Sequence, residues 1–182
     1  KYAGMEDEPA MITSTHYLDQ RIYFYLNYAK TEVALRMLQS ELGDSVFKYC
    51  LTTFMDRWKY KHPTPYDFFN TFNTLSKQDL NWFWNVWYFQ NGGIPDLAID
   101  QVTRAEGKTE VCVVNKGDFP LPVALSFFSN DKLVKSITLP ASRWLSLPDK
   151  RMTVTLDSKE QITKITLGND YIPDANPSDN AY

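Results

Sequence analysis

Few residues in this chain have the type and spacing that chemistry requires, and one tyrosine is the most informative of them. Tyr28 stands near the start of the helical pattern "LNYAKTEVALRMLQSELGDSVF", residues 26–47. At a helix entrance a side chain leans over the preceding turn, toward whatever cavity the entry loop borders. A phenol there stays neutral up to about pH 10 while it donates a hydrogen bond. Composition alone assigns the same ring to a hydrophobic core, so a packing role and a donor role both stand at this point.

The other reactive residue types are sparse. The chain has two histidines. His16 has Asp19 downstream and Glu6, Asp7 and Glu8 upstream, but no second nitrogen or sulfur ligand, so it reads as part of a solvated turn. His62, between Lys61 and Pro63, reads as a capping or surface residue. There is no GxSxG elbow and no glycine-rich phosphate loop, and the histidines are too few for a self-contained triad. Cys50 falls in a helical pattern and Cys112 in a strand pattern, which gives neither a CxxC knuckle nor a disulfide framework; both read as buried free thiols. Trp82, Phe83, Trp84 and Trp87 could form a sugar-stacking platform, but on a segment this apolar they read as core. Taken alone, these residues make no complete active site.

The elements that must position Tyr28 are helical up to "QNGGIPD", residues 90–96. Ala34, Leu35, Leu38 and Leu42 fall on one stripe, widened by Val33 and Met37, and Gly43 stands where a left-handed C-cap would. Asp44 is the expected N-cap of the next helix, whose Val46, Phe47, Cys50, Phe54 and Trp58 recur at helical spacing. Thr64 caps a further helix with Pro65 at its first position, Asp67 in its first turn and a face of Phe68, Phe69, Phe72 and Leu75; Ser76 with Asp79 repeats that capping logic. The last helical run, "KQDLNWFWNVWYF", is apolar nearly all round and needs neighbours on several sides.

From Leu97 onward the period becomes two, in seven β-rich runs from "LAIDQVT" through "RWLSL" to "ITKITL". The expected fold class is therefore α+β: a helical array in residues 1–92 and an immunoglobulin- or fibronectin-like sandwich in residues 93–182. The polar tail "GNDYIPDANPSDNAY" is expected to lie along the surface.

Composition narrows the function classes. A formal net charge of -3 and no run of Lys or Arg argue against a nucleic-acid partner. No window approaches the roughly eighteen apolar residues of a membrane span, so this piece is expected to be soluble. Lys1 is not an initiator methionine and no signal-peptide pattern follows it, so the chain reads as part of something longer, or as processed.

Tyr28, Ala29 and Lys30, followed by "EVALRMLQSELGDSVF", resemble the Tyr-x-Lys segment of the aminopeptidase N-like zinc metallopeptidases, the gluzincins. The run from Tyr49 to Gly92 is similar to the helical part of that family's catalytic domain, and "IPDANPSDN" resembles the C-terminus of secreted members from Bacteroidetes-like bacteria. The resemblance implies that Tyr28 is catalytic, a hydrogen-bond donor to the oxyanion of the tetrahedral intermediate; Tyr23 and Tyr25, in the aromatic run "RIYFYLNY", are neighbouring alternatives. Thr31 stands where the family usually has Gly.

The family's HExxH helix and its downstream Glu do not occur in these residues. The implied parent is thus a zinc-dependent aminopeptidase, secreted or in the periplasm or cell envelope, acting on peptide substrates. Its zinc would be held by an absent N-terminal segment that is also a partner of this piece, so no residue here is a metal or cofactor ligand and the piece alone is inactive. The competing expectation is a non-catalytic module presenting an aromatic surface to protein or glycan.

Overall fold

A computed structural model describes residues 8–182. Lys1, Glu6 and Asp7 lie outside the described residues, so the upstream acidic patch is represented by Glu8 alone. The described chain divides into two compact units, residues 8–92 and residues 93–182.

The first unit is helical. Helix α1 (Gln20–Phe24), a π-helical turn (Tyr25–Lys30) and helix α2 (Thr31–Leu42) follow one another directly, and the junction residues Tyr25 and Thr31 keep helical dihedrals. The rod starts earlier than the apolar pattern indicates because Asp19 caps it: one carboxylate oxygen accepts the N–H groups of Arg21 and Ile22 at 2.9 and 3.0 Å. Tyr28 is therefore an interior residue of a helical rod and not its entrance. Asp19 is used for capping, and His16 sits exposed in a preceding 3-10 turn, Thr15–Tyr17.

Gly43 ends α2 with φ +76° and ψ 155°, a positive φ that disfavours side chains but not the left-handed helical conformation expected of a C-cap. The same residue is the N-cap of helix α3 (Asp44–Trp58), which moves Asp44 into the first turn. There its carboxylate accepts from Gln39 Nε2 at 2.7 Å. Helix α4 (Pro65–Ser76) has the expected capping box: the Asp67 carboxylate accepts from both Thr64 N–H and Thr64 Oγ1 at 2.7 Å. Ser76 closes α4, and Asp79 alone serves the next start by accepting the Asn81 N–H at 3.0 Å.

Helix α5 (Asn81–Trp84) and a second π turn (Asn85–Phe89) complete the unit. The core is aromatic: Phe72 is fully buried, tilted against Phe47 at 5.7 Å and edge-on to Trp84 at 6.2 Å. Phe83, Trp84 and Trp87 are buried, as the apolar segment requires, and Trp84 Nε1 donates to Asn73 Oδ1 at 2.8 Å. Cys50 is buried here, whereas Cys112 in the second unit is only half-buried.

The second unit holds six strands in two antiparallel sheets: β1 (Leu97–Ala105), β2 (Lys108–Asn115) and β5 (Arg151–Asp157) in the order β1-β2-β5, and β3 (Val123–Ser129), β4 (Lys132–Leu139) and β6 (Lys164–Leu167) in the order β4-β3-β6. Strands β2 and β5 bury alternate residues, among them Val111, Val113, Val154 and Leu156, the period-two signature of a half-covered sheet.

The fifth of the seven expected strands, "RWLSL", instead falls in a 3-10 helix, Ala141–Ser146, and its C-cap Leu147. Trp144 is buried there with Nε1 donating to the Leu121 carbonyl at 2.7 Å, so one tryptophan anchors a turn where alternation suggested a ladder. Gly117 makes a close approach: a Cβ at this position would lie 2.1 Å from the Ile94 carbonyl oxygen. The tail is more than a surface ribbon, because Thr166 bridges Ala181 and Ile165 exchanges both backbone hydrogen bonds with Tyr182 at 2.8 and 2.9 Å.

Two measurements check this packing. Phe72→Ala should cost about 3–5 kcal/mol in denaturant unfolding, from lost transfer energy and the cavity it leaves. Asp96 has its carboxyl pKa raised, first by burial and then by Asp174 and Asp179, against a weaker pull from Lys116. A raised carboxyl pKa means that ionisation opposes folding: the penalty builds as pH rises past the unfolded-state value and is complete above the folded-state value. Asp96→Asn is therefore expected to raise Tm at pH 7, with the gain vanishing below about pH 3 where the carboxyl is neutral in both states.

Candidate active site

The π turn Tyr25–Lys30 places side chains on opposite sides of the rod. Leu26, Lys30, Ala34 and Leu38 recur every fourth residue and are all buried, so a lysine occupies the centre of an apolar stripe. Its ammonium is fully buried against the equally buried Glu8 carboxylate, with which it forms an ion pair and hydrogen bond. Burial pulls the Lys30 pKa down while Glu8 pulls it back up. The same carboxylate acts on Tyr25: burial first, and Glu8 second, push that phenol well above its ordinary value and keep it protonated.

Tyr28 lies on the other side and is 56% exposed, which overturns the core assignment that composition suggests. Its ring stacks on Phe24 at 4.8 Å with a 29° interplanar angle and meets the Tyr23 ring edge-on at 6.4 Å. A π turn has more residues per turn than an α-helix, so Tyr28 contacts both the fourth and the fifth residue before it. Thr31 closes the turn. Its N–H donates to the Tyr28 carbonyl, and its Oγ1 donates to the Leu26 carbonyl at 2.9 Å.

Among the three neighbouring tyrosines, Tyr25 is half-buried beside Glu8, Tyr23 packs against the edge of the aromatic pair, and Tyr28 is the most exposed. The arrangement thus presents an exposed phenol, with two rings against it, from a rod that a buried charge pair holds in place.

Residues 5–87 match the Peptidase family M1 domain, a stretch that includes the π turn and the pair beneath it. This stretch is similar to part of an M1 peptidase domain and makes up a little under half of the chain. A crystal structure of Legionella pneumophila aminopeptidase A in complex with aspartic acid has a similar fold, with a TM-score of 0.66 and 16% identity over 90% of this chain. The chain covers 19% of that aminopeptidase, about a fifth of its length, and at this identity the likeness is one of fold alone. No curated protein matches the chain. The matched stretch falls almost entirely in the helical unit, and the antiparallel sheets follow it in the sequence.

Zinc is the metal this family resemblance implies. Among the described residues, no group of three or more His, Cys, Asp or Glu side chains is placed to hold a metal ion, and both histidines are exposed. The described residues do not fit a zinc site. Glu8 and Lys30, the strongest electrostatic feature of the M1 segment, escaped the reading of the sequence. The four-residue recurrence of positions 26, 30, 34 and 38 carried the signal, since it puts a lysine where a leucine would ordinarily sit.

Lys30→Met should lower stability by about 3–5 kcal/mol, because the Glu8 carboxylate is then buried without its cation. Adding Glu8→Leu should recover most of that loss in denaturant unfolding; a double variant no more stable than the single would show that the pair does not carry the cost.

Proposed function

We propose that the chain is the C-terminal part of a zinc-dependent aminopeptidase, which removes N-terminal residues from peptides, and that Tyr28 donates its phenolic hydrogen to the oxyanion of the tetrahedral intermediate. The observation that carries this reading is the exposure of Tyr28 on a rod inside an M1 domain match, while Tyr25 is only half-exposed and has its pKa raised by burial and by the Glu8 charge. A neutral donor fixed where negative charge develops strengthens only as the transition state forms, which lowers the barrier without tightening the ground state.

The metal belongs to sequence these residues do not include. The working enzyme therefore needs an N-terminal zinc-bearing segment as well as its peptide substrate, and the present piece alone hydrolyses nothing. The parent is secreted or periplasmic in this reading, in keeping with the resemblance of its C-terminus; no helix among the described residues is long and apolar enough to cross a membrane. The two sheets face each other as an immunoglobulin- or fibronectin-like sandwich. The alternative, a non-catalytic module presenting an aromatic surface to protein or glycan, could not use Phe83, Trp84 or Trp87, which are buried; of the four residues weighed for it, only Trp82 is half-buried.

Tyr28→Phe in the full-length protein keeps the ring and removes the donor. Turnover should fall on the order of a hundredfold to a thousandfold with zinc content unchanged. An unaltered rate would remove Tyr28 from the mechanism.

A further inference from the structure

The reading of Tyr28 as a donor raises the question of what aims it. The rod could have continued as an α-helix, yet it widens into a π turn at the residues that carry the phenol, Tyr25–Lys30. π turns are rare and recur at functional sites because they rotate the following helix relative to the preceding one. Such a widening persists only where neighbouring groups over-determine it.

Two sets of groups do so here. Thr31 bonds the turn from its C-terminal end, with its N–H on the Tyr28 carbonyl and its Oγ1 on the Leu26 carbonyl at 2.9 Å. Glu8 holds Lys30 from the other side of the rod, inside the buried stripe of Leu26, Ala34 and Leu38. The segment that carries Glu8 is itself tied down, since the Ala10 N–H donates to Asn91 Oδ1 at 2.9 Å and the Gly92 N–H to the Glu8 carbonyl at 2.8 Å.

We infer that Thr31 and the Glu8–Lys30 pair are positioning residues for Tyr28: together they lock the π turn that sets the direction of its phenol. None of them need touch substrate. A Thr in place of the family's Gly then has a physical use, because its hydroxyl serves a carbonyl that a glycine would leave to another donor. The inference rests on the oxyanion-donor reading, and its consequence is kinetic: displacing a catalytic group by about 1 Å costs up to the order of a hundredfold in rate.

The test is a double-mutant cycle in the full-length protein with kcat, KM, zinc content and unfolding all measured. Thr31→Val, nearly isosteric but without the hydroxyl, and Glu8→Gln should each lower kcat on the order of tenfold to a hundredfold with KM and zinc content unchanged. Thr31→Ser, which keeps the hydroxyl, should restore the rate. In a Tyr28→Phe background the same substitutions should leave the residual kcat unchanged, because no donor remains to be misaimed, while their effect on unfolding persists. A kcat loss of equal size in both backgrounds, or normal turnover in Thr31→Val, overturns the positioning role while leaving the donor reading intact. Full activity in Tyr28→Phe by itself overturns both. If Glu8→Gln does not fold, the Thr31 pair of variants decides the question alone.

Discussion

The helical unit depends on one buried ion pair. Removing an ammonium and a carboxylate from water costs several kcal/mol for each, and their attraction repays this only where geometry is good and their remaining donors and acceptors are served. A leucine at position 30 would continue the stripe of Leu26, Ala34 and Leu38 at no such cost. What the charges add is direction. An apolar stripe tolerates a small axial slip, whereas an ammonium against a single carboxylate does not, so the pair fixes the register of the rod relative to the segment that carries Glu8.

That register matters because of what the opposite side of the rod holds. Phe24 and Tyr28 stack in the open, with Tyr23 at the edge, an arrangement that the wider π spacing allows. Both rings remain more than half exposed beside the clamped turn. The match to an M1 peptidase domain covers this whole arrangement, and the fold-level likeness to an aminopeptidase extends through the antiparallel sheets.

Much of this was legible in the residues, and the exceptions share a cause. Helices α2, α3 and α4 follow their apolar spacing, and Thr64 with Pro65 and Asp67 announced a start that the capping box confirms. Local pattern failed where a distant partner decided the outcome. "RWLSL" alternates like a strand, yet Trp144 finds the Leu121 carbonyl and coils instead. Lys30 looks like a surface residue until Glu8 meets it twenty-two positions away. Tyr28 looked like a helix entrance because Asp19, upstream of the apolar pattern, sets the true one. Tyr28 was thus visible as a motif, while the groups that pack around its turn were not.

The pairing of Ile165 with Tyr182, and of Thr166 with Ala181, reaches past the tail itself. Strand β6 has β3 on one side, and without those last residues its other flank would offer bare N–H and C=O groups to any passing strand. Residues 180–182 act as a selvedge on this one flank, so trimming them would leave β6, like β4 at the other side of the sheet, as an edge that a further strand could join.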